Sequence, residues 1–214
     1  MGNRVPFAEG EWYHCYSRGI DKRTVFGRPA DYRRFTELLY LANDTGPVRR
    51  DDRPGLTYEK VFTEERQSPI VSVGAYALLT NHFHLVLFEE KAGGISRFMQ
   101  KLVTGYSMYF NIRYKRSGGL FTRPFRSRHI DSDTYLQYAV DYVHLNPIEH
   151  LPQSPAQLLR SAEVYPYSSC GLFNGERRLE LSILGKEIKH VYEEKPPRRM
   201  LESIEVYRSD MGKP

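Results

Sequence analysis

The stretch IVSVGAYALLTNHFHLVLF, residues 70–88, constrains the fold more than any other part of the chain. Two apolar runs rich in Val, Leu and aromatic residues read as strands over 70–79 and 82–88, and Thr80-Asn81 between them reads as a tight turn. Strands joined by two residues must pair antiparallel, because a parallel partner needs a crossover of about a dozen residues. The chain therefore builds on an antiparallel hairpin.

The flanking segments extend that hairpin into a sheet. Residues 11–18, EWYHCYSR, are aromatic-rich and predict a first strand. A helix is expected after Asp31, carrying Phe35, Leu38, Leu39 and Leu41. Residues 44–69 are polar and punctuated by Gly and Pro, an inserted loop with room for a short hairpin. From Ser96 to Tyr114, Phe98, Met99, Leu102, Val103, Tyr106, Tyr109, Phe110 and Arg113 recur at three- and four-residue steps, which predicts a long amphipathic helix ended by Gly118 and Gly119. LFTRPFRSRHI then leads from a loop into a strand. Ser132 or Asp133 caps a last helix that runs to about Asn146, where Pro147 stops it. The order β-α-β-β-α-β-α predicts an α+β, ferredoxin-like (RRM-like) antiparallel sheet with helices on one face. Beyond Pro152 the sequence is less periodic, and Lys195-Pro196-Pro197-Arg198-Arg199 forms a basic, proline-bearing break.

Charge is concentrated. Lys91, Arg97, Lys101, Arg113, Lys115, Arg116, Arg123, Arg126 and Arg128 give residues 91–130 a charge of +9 with no Asp or Glu, while the whole chain carries +5. Tyr106, Tyr109, Phe110, Tyr114, Phe121 and Phe125 are interleaved with these cations. Cations neutralise phosphates and flat rings stack on unpaired bases, so this segment suits single-stranded nucleic acid. The eight cations from Arg97 onward are the candidate DNA contacts. Two cysteines, Cys15 and Cys170, exclude a disulfide scaffold and a four-cysteine zinc site. No apolar run reaches the ~18 residues of a membrane span, and no secretory signal is visible at the N-terminus, so a cytoplasmic protein without a membrane partner is expected.

Two patterns carry chemistry. His82 and His84 lie two residues apart in a strand, so both imidazoles leave one face while Phe83 leaves the other. Paired neutral imidazoles are natural metal ligands, though partly exposed strand histidines need bind nothing. Asn81, just before them, is suited to orient a ring or cap the turn. On the last helix Leu136, Ala139, Val140 and Val143 form an apolar arc, and Tyr135, Tyr138, Tyr142 and Asn146 form a second arc beside it. Tyr142 and Asn146 are one turn apart on the same side, which pairs a candidate nucleophile with a candidate third metal ligand. Three packing tyrosines would give the same pattern.

The two patterns, in this order around a basic helix, resemble the REP-associated tyrosine transposases, single-tyrosine enzymes of the HUH type. The matching text is WYHCYSRGIDKRTVF, ALLTNHFHLVLFE, ISRFMQKLVTGYSMYFNIRYKRSGGLFTRPFRS, YLQYAVDYVHLNPI and YPYSSCGLF, over about residues 11–175. The resemblance implies a transposase-like domain over 1–175 and a C-terminal extension over 176–214 without a counterpart. It makes 45–69 longer than the usual link between the first helix and second strand. It implies that His82 and His84 are the HUH pair, that Tyr142 is the nucleophile and that Asn146 stands where relatives carry a polar ligand, often Gln. It also implies a divalent metal, Mg2+ or Mn2+, and a substrate of single-stranded DNA near a hairpin. In some relatives the tyrosine helix is exchanged between subunits, so monomer and homodimer both stay open.

Other classes remain. A domesticated, non-catalytic nucleic-acid binder would use the same basic surface but needs neither the histidine pair nor the tyrosine. A metal-dependent hydrolase would need a general base, for which Glu89 and Glu90 are the neighbours.

Overall fold

Side-chain alternation along four strands sets the architecture. The computed structural model describes residues 6–48, 55–148, 154–173 and 175–188. β1 (Trp12–Arg18), β2 (Ser72–Leu79), β3 (His82–Phe88) and β4 (Arg126–Ile130) form an antiparallel sheet in the order β2-β3-β1-β4. Tyr16 pairs with His84, and Arg18 with His82. With a two-residue period, Tyr13, Cys15, Phe83, Leu85 and Leu87 share one face. His14, Tyr16, Arg18, His82, His84 and Val86 share the other.

The first face carries the main core. It is covered by α1 (Pro29–Leu41) and by the long helix that follows β3. Between them lies a short helix, α2 (Tyr58–Val61), and the long helix is α3 (Gly94–Arg113). Phe35, Leu38 and Leu39 of α1 and Phe98, Leu102 and Tyr106 of α3 are buried with Phe83, Leu85 and Leu87. Phe35 and Phe83 meet at a ring separation of 4.9 Å. The expected ferredoxin-like core, with these two helices on one face, is what the sheet carries. The last long helix, α4 (Asp133–Leu145), packs on the opposite face, where Leu136, Ala139, Val140 and Val143 meet Ala75, Ala77, Val86 and Ile130. Ala75 and Ala77 are small enough to let α4 lie close. Gly74 sits at a register shift in β2, and a Cβ there would come within 2.7 Å of the Trp12 ring.

Two helix starts differ from the sequence reading, for reasons of capping. α1 begins at Pro29, before Asp31, because Asp31 Oδ2 accepts from the backbone N–H of Gly27 and Arg28, both at 3.0 Å. The same carboxylate accepts from the hydroxyls of Tyr109 at 3.0 Å and Tyr114 at 2.7 Å, which ties α3 to α1. α3 begins at Gly94 rather than Ser96, because buried Glu89 accepts from Gly93 N–H and Ile95 N–H, both at 2.6 Å.

The described part of the 45–69 insertion holds α2, capped by Thr57, rather than a hairpin. Beyond Pro152 there is more regular structure than the weak periodicity suggests: α5 (Pro155–Glu163), α6 (Cys170–Phe173) and a 3-10 turn over Leu179–Ile183. Residues 176–188 fold back on the domain. Ile183 joins the main core and Ile188 the second, and the Tyr58 hydroxyl donates to Glu180 Oε1 at 2.6 Å. The basic break at 195–199 lies outside the described residues. Among the described residues no helix is long and apolar enough to cross a membrane.

Candidate active site

The sheet face beneath α4 gathers three imidazoles. His82 and His84 leave β3 on this face, and His14 leaves the neighbouring strand one pair along. The rings of His82 and His84 are 5.0 Å apart, and those of His14 and His84 also 5.0 Å. His14 Nε2 lies 2.8 Å from His84 Nδ1, in a hydrogen bond sealed from solvent. Tyr16, directly opposite His84 in register and two residues after His14, stacks on both rings at 5.2 and 5.4 Å.

His82 has a defined tautomer. Asn81 Nδ2–H donates to the Lys22 carbonyl, which turns Asn81 Oδ1 toward His82 Nδ1 at 2.6 Å. An amide oxygen only accepts, so Nδ1 bears the proton and the lone pair is on Nε2. Asn81 thus orients the ring, as its position before the pair suggested.

α4 completes the cluster. Asn146 caps its C-terminus, with its backbone N–H bonded to the Tyr142 carbonyl at 2.9 Å. Asn146 Oδ1 lies 3.2 Å from His82 Nε2. The Tyr142 ring packs edge-on against His14 and His84, each at 5.7 Å. Tyr135 lies instead under the Arg128 guanidinium at 5.0 Å, and Tyr138 packs beside Tyr135. Of the three tyrosines on the arc, Tyr142 is the one with ring contacts to the histidines.

Burial keeps these imidazoles uncharged. Desolvation, aided by the Arg128 charge, lowers the His14 pKa to about 3. Desolvation and then Arg18 lower His82 to about 4, and His84 is held well below its ordinary value by burial and by His14, His82 and Arg18. Neutral imidazoles keep their lone pairs and can bind a metal at neutral pH.

The donor set fits a hard-to-intermediate divalent cation. The His82 Nε2 lone pair and the Asn146 carbonyl oxygen are two acceptors facing each other. Two atoms bound to one ion at about 2.1 Å and at right angles stand about 3 Å apart, close to the 3.2 Å observed. With the Asn146 amide turned over, its Nδ2–H donates to Nε2 and satisfies the pair without an ion. Among the described residues no three His, Cys, Asp or Glu side chains are grouped to hold a metal, so Asn146 matters to any such site. Glu89 is committed to capping α3 and lies outside this cluster.

The predicted basic residues divide by position. Arg126 and Arg128 of β4 pair with Tyr16 and His14, on the histidine face. Arg123 lines an open groove of about 440 Å³ with Ile20, Ser107, Gly119 and Phe121. Arg113, 3.8 Å from Asp31, and Arg116, bonded to Asn111 and Gly119, stand at the C-terminal end of α3 with Lys115. Backbone bonds from Gly19 to Asn81 and from Ile20 to Leu120 tie the loop that follows α3 to the end of the sheet where His82 begins β3. Arg97 and Lys101 lie toward the other end. Arg97 is four and a half turns, about 24 Å, before Arg113. Arg97 donates to the Thr45 carbonyl at 2.7 Å, and Lys101 to the carbonyls of Asp44 and Gly46. These two cations fasten the start of the insertion to α3.

No family model and no curated protein matches the chain. Among solved structures it is similar to a REP-associated tyrosine transposase bound to a REP hairpin, with a TM-score of 0.53 and 14% identity, over 84% of this chain and 90% of that one. The chain has the fold of a REP-associated tyrosine transposase.

On this transposase fold two residues stand in the site that sequence reading passed over. His14 read as one member of an aromatic strand, and Arg18 as its last residue. Only the β1–β3 register, which no local pattern reports, puts them beside His84 and His82.

Proposed function

We propose that the protein is a single-tyrosine HUH transposase that cuts and rejoins single-stranded DNA near a hairpin. The observation that carries this reading is the approach of Tyr142 to His84 and of Asn146 to His82 along one edge of α4. His82, His84 and Asn146 would hold a divalent cation. The donor chemistry favours Mn2+ over Mg2+, since Mg2+ prefers oxygen-only shells. When bound, such an ion would polarise a phosphate and ease loss of the Tyr142 proton, which a free tyrosine in water gives up only near pH ~10.

The chain's own groups perform the rest. The Tyr142 hydroxyl gives up its proton to water, which returns one to the 3′ oxygen, and the tyrosyl oxygen attacks phosphorus. The bond from phosphorus to the 3′ oxygen breaks, and that oxygen leaves as a free 3′-OH after taking up a proton. The product is a 5′-phosphotyrosine, which keeps the phosphodiester energy for rejoining without a nucleotide cofactor. Arg18, Arg126 and Arg128, on the histidine face, and the cations at the C-terminal end of α3 would bind the DNA backbone. A domesticated binder on the same surface would form no covalent product, and a hydrolase would cut without one. Incubation with labelled hairpin DNA carrying a single-stranded flank and Mn2+, followed by a denaturing gel, separates the three. A protein-linked DNA band is expected, and its absence alongside tight binding would leave the binder.

A further inference from the structure

The His14–His84 hydrogen bond has a direction that decides what His84 can do. Both rings are buried, and two imidazole nitrogens 2.8 Å apart share a single proton, so one of the pair donates it and the other accepts. If His14 Nε2 donates, His84 Nδ1 is the acceptor and its Nε2 carries hydrogen, with no lone pair to offer. If His84 Nδ1 donates, Nε2 is bare and able to ligate.

We propose that His14 is a positioning residue that accepts the Nδ1–H of His84 and so holds the His84 lone pair on Nε2 for the cation. This deepens the metal-dependent reading above and rests on it. His14 is not itself a ligand here, because its Nε2 is turned to His84 at 2.8 Å. The geometry is held from two sides. Tyr16 stacks on both imidazoles, with interplanar angles of 28° and 21°, and Tyr142 packs edge-on against both. Neither ring can turn without displacing a neighbour. His82 receives the same treatment from a different residue: Asn81 Oδ1 accepts its Nδ1–H and leaves Nε2 bare. Each histidine of the pair therefore has its own acceptor on Nδ1, one an amide from the turn and one an imidazole from the adjacent strand. Outer partners of this kind orient metal-binding imidazoles and fix their tautomer.

The test has two arms on the full chain. In histidine-labelled protein without metal, long-range nitrogen–proton NMR spectra should show His84 protonated on Nδ1 and bare on Nε2, with His14 Nε2 unprotonated. The reverse pattern overturns the assignment. In the second arm, calorimetry with Mn2+ should show about 10- to 100-fold weaker binding for His14→Leu, which fills the space without an acceptor. His14→Gln, whose amide oxygen can accept, should recover most of the affinity. A folded His14→Leu that binds Mn2+ as the wild type does would also overturn the proposal. If the wild type itself binds no Mn2+, the metal reading fails, and the first arm still decides whether His14 sets the His84 tautomer.

Discussion

Asn146 Oδ1, at the end of α4, stands 3.2 Å from His82 Nε2, at the start of β3. Two elements separated by the whole of α3 and β4 thus meet at one polar contact. The residue is 7% exposed and is the helix cap, so its side chain is held in place by the backbone that ends α4. Asn146→Ala should leave the fold intact and weaken Mn2+ binding by at least about tenfold in calorimetry. Unchanged affinity would remove Asn146 from the site.

DNA binding should depend on where a cation sits, not on how many the sequence holds. Setting aside Arg97 and Lys101, which bind the carbonyls of 44–46, leaves six of the eight candidate cations. At about 0.7 per phosphate contact, log affinity for single-stranded DNA should fall against log salt with a slope of about −4. Arg126→Ala with Arg128→Ala should flatten that slope by about 1.4, whereas Arg97→Ala should leave it unchanged. An equal effect of both changes in a salt titration would mean the basic stretch acts as one diffuse field.

Asp31 is wholly buried, caps α1 and accepts from Tyr109 and Tyr114 of α3. Asp31→Ala removes a cap and strands two hydroxyls, together about 3 kcal/mol. Urea unfolding should show a lowered midpoint at unchanged slope. A loss below about 1 kcal/mol would mean that water replaces the carboxylate.

Acid should destabilise the protein through its buried histidines. Burial lowers His144 to about 3, with its Nε2 bonded to Ser169 Oγ at 2.8 Å. Unfolded, the group titrates near ~6.5. Between these values the unfolded chain binds more protons, so stability rises with pH, is complete above about 6.5 and is lost as pH falls toward 3. One such group contributes up to about 1.4 kcal/mol per pH unit. Urea midpoints measured between about pH 4 and pH 7 should fall less steeply for His144→Gln than for wild type. Parallel curves would show that His144 is protonated in the folded state.

Periodicity made β3, α3 and α4 legible, because each buries one face along its whole length. The hairpin at Thr80-Asn81 and the pairing of Tyr142 with Asn146 followed from residue spacing alone. His14 and Arg18 did not, since their neighbours in space come from strand register across a gap of 64 residues or more. α5 is nine residues long, so its apolar stripe spans little more than two turns, although Ser154, Pro155 and Gln157 spell a helix start with a capping box. The insertion was legible as polar chain but not as a helix: α2 is one turn long, too short for a period to register.

The direct test of the central claim is the Tyr142→Phe protein, incubated with labelled hairpin DNA and Mn2+ and run on a denaturing gel beside Tyr135→Phe and Tyr138→Phe. Loss of the hydroxyl keeps the ring that packs on His14 and His84, so folding and DNA binding should hold. Covalent adduct and strand cleavage should vanish in Tyr142→Phe and persist in the other two. An adduct formed by Tyr142→Phe would contradict the account, and sequencing of the linked peptide would name the residue that attacks instead.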